Sequence, residues 1–186
     1  MASRISTIMT GSALALPLVL VCALLVVKAF FVTYYVIPQN GVYPTLPAGS
    51  MLFAAKSPYP GPAQVKRGDI VVFTREEGGQ RYNYIWRVIG LPGDRIEASG
   101  ASLAVNGQQV MREQVREEHG TTIYRERVAD AAYDIAISQS PPSVPPDVSG
   151  IVPADHFFVM GDNRLDARDS RSFGPIPFGT IIGRKL

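Results

Sequence analysis

From Ile5 to Val27 the chain runs for 23 residues without a charge, bounded by Arg4 and Lys28. As a helix rising about 1.5 Å per residue, that stretch crosses a hydrocarbon layer of ~30 Å with some tilt. A cleaved leader would carry an apolar region of only about 7–15 residues followed by a small-x-small site, and Lys28-Ala29-Phe30-Phe31 offers no such site. A lipoprotein anchor at Cys22 would want a residue smaller than Val21 ahead of it. The pattern therefore predicts an uncleaved anchor helix that tolerates Pro17. Lys28 can snorkel to the headgroups, and Tyr34 and Tyr35 suit the interface. A lone anchor ahead of a long polar domain predicts a single-pass protein of the cell (inner) membrane. Residues 1–36 would form the cytoplasmic end and anchor, and 37–186 a domain on the extracytoplasmic (periplasmic) side.

After Ile37-Pro38 the texture changes to short β-like runs between turn residues. Ser50–Ala55, Asp69–Phe73, Tyr82–Ile89, Arg95–Glu97 and Leu103–Val105 read as strands, as do Thr121–Tyr124, Tyr133–Ile137, His156–Met160 and Thr180–Gly183. Asn106-Gly107 is a hairpin signal. The nearest approach to a helical period is Val110–Glu118, which is charged and mostly polar. Ser138–Pro153, with prolines at 141, 142, 145, 146 and 153, reads as a solvent-exposed loop of polyproline character. The fold class is mainly β: a domain of many short strands behind one membrane helix.

Composition narrows the function. The 186 residues are 46% hydrophobic and 18% charged, which excludes a disordered chain. A single Cys excludes an internal disulfide framework and a cysteine-built metal site. A net charge of +2 with no basic stripe argues against a nucleic-acid partner. No metal or cofactor is expected.

Three blocks, in order, carry a resemblance. Ile37-Pro38-Gln39-Asn40-Gly41-Val42-Tyr43-Pro44-Thr45-Leu46 resembles I-P-S-G-S-M-x-P-T-L. Tyr84-Ile85-Trp86-Arg87-Val88-Ile89-Gly90-Leu91-Pro92-Gly93-Asp94 resembles Y-x-K-R-V-I-G-L-P-G-D. Gly161-Asp162-Asn163-Arg164-Leu165-Asp166-Ala167-Arg168-Asp169-Ser170-Arg171 resembles G-D-N-R-x-x-S-x-D-S-R. These are the motifs of the type I signal peptidases, the S26 Ser–Lys peptidases that remove leader peptides outside the membrane. The likeness weakens only over residues 110–153. It implies two coiled, mostly antiparallel sheets, and a groove where a leader lies extended beside strands in β-augmentation.

The family's chemistry needs a hydroxyl nucleophile and a lysine kept neutral by desolvation. It also needs donors for the oxyanion. Mapped onto this chain, the nucleophile's position holds Gly41 and the base's position holds Trp86, whose indole N–H donates and cannot take a proton. The oxyanion serine's position holds Gln39, and the serine that orients the lysine is replaced by Ala167. Losing nucleophile or base alone costs a serine protease on the order of 10⁶ in turnover. The resemblance thus implies a family member without the family reaction. Two rescues are weak: Ser50 and Lys56 would lie about 20 Å apart on an extended strand, and Ser170 has neither His119 nor His156 in a triad context.

The rest of the motif set is intact. Arg87, Asp169 and Arg171 match the family's charge cluster, and Asp162, Asn163, Arg164 and Ser170 complete a structural motif. Ile37, Pro38, Val42, Tyr43, Leu46, Tyr84 and Ile85 match the peptide-binding region, although core packing demands the same apolar types. Trp86 either plugs the vacated site or offers a new face to a peptide. The reading is a membrane-anchored module that binds exported proteins or leader-like segments without cleaving them. Secretion or surface-appendage assembly proteins are candidate partners. An active peptidase using other residues, and a regulatory partner of a genuine signal peptidase, are the alternatives.

Overall fold

The computed structural model describes residues 6–186, and the side chains of all of these but 6–14, 27 and 28. A helix α1 (Ser6–Phe30) leads into β1 (Val32–Val36) and β2 (Met51–Lys56). Then follow β3 (Ile70–Glu77), β4 (Gln80–Gly90), β5 (Arg95–Ser99), β6 (Ser102–Val105), β7 (Gln108–Gln109), β8 (Met111–Glu118), β9 (Thr121–Val128), β10 (Ala131–Ser138), β11 (Val148–Ile151) and β12 (His156–Met160). A one-turn helix α2 (Ser170–Phe173), β13 (Ile176–Pro177) and β14 (Ile181–Lys185) close the chain.

The strands make a seven-stranded sheet ordered β1-β2-β14-β3-β4-β12-β13, a three-stranded sheet β10-β9-β8 and a four-stranded sheet β11-β5-β6-β7. Every strand pairing is antiparallel. The mainly β class holds, with three sheets in place of the expected two. Period-two alternation explains the large sheet. Leu52, Ala54, Ile70 and Val72 face one core with Ile37, Val42 and Leu46. Val71, Phe73, Val88, Phe157 and Val159 face another. A third core joins Ile89 and Met160 to Ile96, Leu103 and Ile135 of the smaller sheets.

Several segments differ from expectation. Val110–Glu118, for which no strand was expected, contains one: Met111–Glu118 is strand β8, paired only with β9, and most of its side chains are in solvent. Its polarity reflects two wet faces on an edge strand, whose charges also discourage pairing with other chains. Within the proline-rich stretch, Val148–Ile151 forms β11 and pairs with β5. The strand begins after Pro146 and ends before Pro153, so no proline is asked to donate to the ladder. Residues 32–36, expected to end the anchor, instead form strand β1 of the large sheet, paired with β2, so the β domain begins before Ile37.

Helix α1 has 25 residues with Pro17 inside. From Ala15 to Val26 every side chain is apolar and exposed, Leu16 at 68% and Leu24 at 65%. Among the described residues no helix is long and apolar enough to cross a membrane. Of the expected anchor Ile5–Val27, Ile5 lies outside those residues, and side chains are described only for 15–26.

Candidate functional site

The three motif blocks converge at one end of β4. The first is a loop whose two ends are pinned together, Ile37 N donating to Ser50 O at 2.9 Å and Gly49 N to Ile37 O at 2.8 Å. The third follows β12, and Asn163 N donates to Gly41 O at 3.1 Å, joining it to the first. β4 runs between them. Its far edge pairs with β12 only at Arg87, Val88 and Gly90. Gln80–Trp86 pair with β3 alone, so an open strand edge ends at Trp86.

Trp86 crosses from that edge to both loops and packs against two of the three cores. A Cβ built on Gly41 would lie 2.5 Å from Trp86 Cζ3 and closer still to Cη2. A Cβ on Gly161 would lie 2.6 Å from Gly41 O and 3.0 Å from Trp86 Cζ3, and would overlap Ala167 Cβ. The indole therefore occupies the space above Gly41, and the missing side chains of Gly41 and Gly161 leave room for it. Tyr84 lies 6.5 Å from the indole, centroid to centroid, and Phe173 lies 6.0 Å from Tyr84, continuing the aromatic row. Trp86 Nε1 is buried with no hydrogen-bond partner.

The site's charges form separate pairs rather than one cluster. Arg87 chelates Asp162 through Nε at 2.7 Å and Nη2 at 2.6 Å, gives Nη1 to Gly68 O at 2.8 Å, and shares Thr45 Oγ1. Asp169 instead holds Arg171 at 2.7 and 2.9 Å, accepts from Gly161 N at 2.9 Å, and caps α2 through Arg171 N. Ser170 Oγ accepts from Val159 N at 2.9 Å, a structural bond. Arg164 pairs with Glu126 of β9, which also takes Arg112 Nε at 2.9 Å. Burial pushes the Glu126 carboxyl up, but Arg164 and Arg112 more than offset this and hold it below the usual range.

Of the peptide-binding set, Ile37, Val42 and Leu46 are core residues. Pro38 is exposed, while Tyr43, Tyr84 and Ile85 are half-buried. Tyr43 is committed elsewhere, its hydroxyl bonding Glu118 of β8. Gln39 is exposed and makes no side-chain hydrogen bond among the described residues. Neither rescue assembles: Ser50 Oγ donates to Pro47 O at 2.6 Å and Lys56 Nζ to Ala29 O at 2.6 Å. Among the described residues, no lysine amine bonds a hydroxyl. Sequence reasoning passed over Gly161, although it heads the third block. It also passed over Glu126, whose lone charge at an inward position between Tyr124 and Val128 is the signal that could have found it.

The chain matches the family described as signal peptidase, peptidase S26, over residues 10–186, and it belongs to that family. It is 34% identical over 186 residues to a signal peptidase I of Pseudomonas aeruginosa, covering 86% of this chain and 65% of that protein. It is also 34% identical over 171 residues to a signal peptidase I of Bacillus caldolyticus, covering 89% of this chain and 84% of the relative. The chain thus spans just under two thirds of the Pseudomonas protein. A crystal structure of a signal peptidase I from Enterococcus faecalis aligns with 26% identity and a TM-score of 0.40, over 66% of this chain and 97% of that one.

Proposed function

We propose that this family member binds extended peptide segments of exported proteins at a membrane surface and does not cleave them. The observation that carries the reading is the indole over Gly41: the position that would need an alcohol has no side chain, and a ring fills the space an acyl carbon would enter. The open edge of β4, ending at that ring, supplies unpaired backbone groups for an added strand. The absent chemistry is fourfold, at Gln39, Gly41, Trp86 and Ala167. Secretion or surface-appendage components are the partners this role would serve.

The membrane part of the proposal rests on apolar surface. Beyond the exposed flank of α1, the pairs Tyr34↔Phe53 and Val36↔Met51 put four exposed side chains on one face of β1 and β2. That area adjoins the helix in the chain, and water is a poor cover for it. The orientation is N-terminus inside and the β domain on the extracytoplasmic side.

The test incubates detergent-solubilised protein with a leader-bearing precursor. The expected result is saturable binding without cleavage. Cleavage that survives purification and is abolished by Ser50→Ala or Ser170→Ala would instead establish an active peptidase, the reading favoured by the names of its relatives.

A further inference from the structure

Away from the filled cleft, a cavity of about 360 Å³ opens between the turn at Thr45 and the three-stranded sheet. Arg87, Arg116, Arg125, Tyr133 and Asp134 line it. Three guanidinium groups thus meet around one small space, each paired with its own carboxylate: Arg87 with Asp162, Arg116 with Glu118 and Arg125 with Asp134. The register explains the convergence: Arg116 lies opposite Ile123, and Arg125 is two residues further along β9 on the same face. Nothing in the packing of the core requires two of them, because Arg116 and Arg125 keep 45% of their side-chain surface exposed.

The donors are only partly spent. Arg125 gives Nε alone to Asp134, and among the described residues neither terminal nitrogen has a hydrogen-bond partner. Arg116 gives Nε and Nη2 to Glu118. At the base, Arg87 is 6% exposed, is fixed by Asp162, and lies 4.4 Å over the Tyr133 ring. The Tyr133 hydroxyl is buried without a partner. Forked cations with free N–H groups over a rigid buried arginine suit a tetrahedral oxyanion, which offers acceptors in several directions. The space exceeds what an inorganic phosphate fills, leaving room for an organic substituent.

We propose that this cup binds the phosphate group of a phosphate ester, with Arg116 and Arg125 as its principal ligands and Asp134 as an internal competitor for Arg125. The ester is either a soluble molecule or a phospholipid headgroup. Its principal ligands, Arg116 and Arg125, lie outside the Trp86 cleft, although Arg87 and Thr45 border both.

The experiment uses the full chain in neutral detergent and follows its melting temperature during titration. One arm adds glycerol 3-phosphate, and the other adds short-chain phosphatidylglycerol against phosphatidylcholine. Saturable stabilisation in the first arm identifies a soluble ester; stabilisation by phosphatidylglycerol alone identifies a headgroup. In either case Arg116→Ala with Arg125→Ala should weaken binding at least about tenfold, the scale of one charge-assisted hydrogen bond. Asp134→Asn should tighten it by freeing Arg125, and added salt should weaken it. All three side chains keep contact with solvent, so the variants should melt near the parent without ligand. No saturable effect in either arm overturns the proposal, as does an effect that survives the double arginine variant.

Discussion

At the scale of single residues, Gly41 and Trp86 are not independent positions. Gly41→Ser puts a Cβ within 2.5 Å of the indole, so the ring or the loop has to move. Overpacking of this kind costs about 1–3 kcal/mol. In a Trp86→Ala background the same serine meets no ring and should cost far less. A double-mutant cycle by chemical denaturation should therefore show a coupling of about 1 kcal/mol or more; additive effects would mean that the two side chains do not compete for the space. For the same reason, restoring Gln39→Ser, Gly41→Ser, Trp86→Lys and Ala167→Ser together has a better prospect of proteolysis than restoring the serine first. Thermal melts must accompany the precursor assay, because Ala167 is already crowded against Gly161.

At the scale of elements, the β8–β10 sheet is fastened to the site by buried charge. Ala136 N donates to Asp162 O, Arg164 N donates to Ala136 O, and Arg164 pairs with Glu126. Because the Glu126 carboxyl is held low, it adds stability that is fully present above its unfolded value of about 4.3 and is lost as pH falls through the folded value. Melting temperature should accordingly drop as the solution is acidified below about pH 4. Glu126→Gln should flatten that dependence and cost about 3–5 kcal/mol at neutral pH, because Arg164 stays buried with its partner weakened. A variant as stable as the parent at neutral pH would contradict this. On the other side of the site, Tyr43→Phe removes the tie to Glu118 and should speed amide exchange at Tyr43 and Leu46, by up to about tenfold for one hydrogen bond.

The sequence exposed the elements unevenly. Strands such as Ile70–Glu77 and His156–Met160 bury one or both faces, so their apolar runs were legible. Met111–Glu118 was not, because an edge strand wet on both faces has no period to read. Val148–Ile151 was hidden by its neighbouring prolines, although its own residues pair normally with β5. The identities at the site followed from motif positions. The packing of the ring against Gly161 depends on a loop far from Trp86 in the chain, and spacing alone does not reveal it.

At the scale of the whole molecule, most of the exposed large apolar residues lie on α1, β1 and β2, with others such as Met111, Val144 and Ile151 scattered over the rest of the domain. With the full chain reconstituted in vesicles, a lipid-borne photo-label should modify the segment from Tyr34 to Phe53. Met51→Glu with Phe53→Glu should reduce that labelling severalfold while leaving the melting temperature nearly unchanged, since both side chains are more than half exposed. Equal labelling of the variant would place this face away from lipid.

The contact between the indole and Gly41 also gives the lineage a direction. A serine regained at position 41 first would be penalised before it could be useful, because the aromatic group still stands in its place. On the proposed reading, a change toward the family's alcohol would have to begin by shrinking residue 86, at a stage when nothing yet rewards it. The order of the two changes therefore works as a ratchet, and selection on any role of the ring would tighten it.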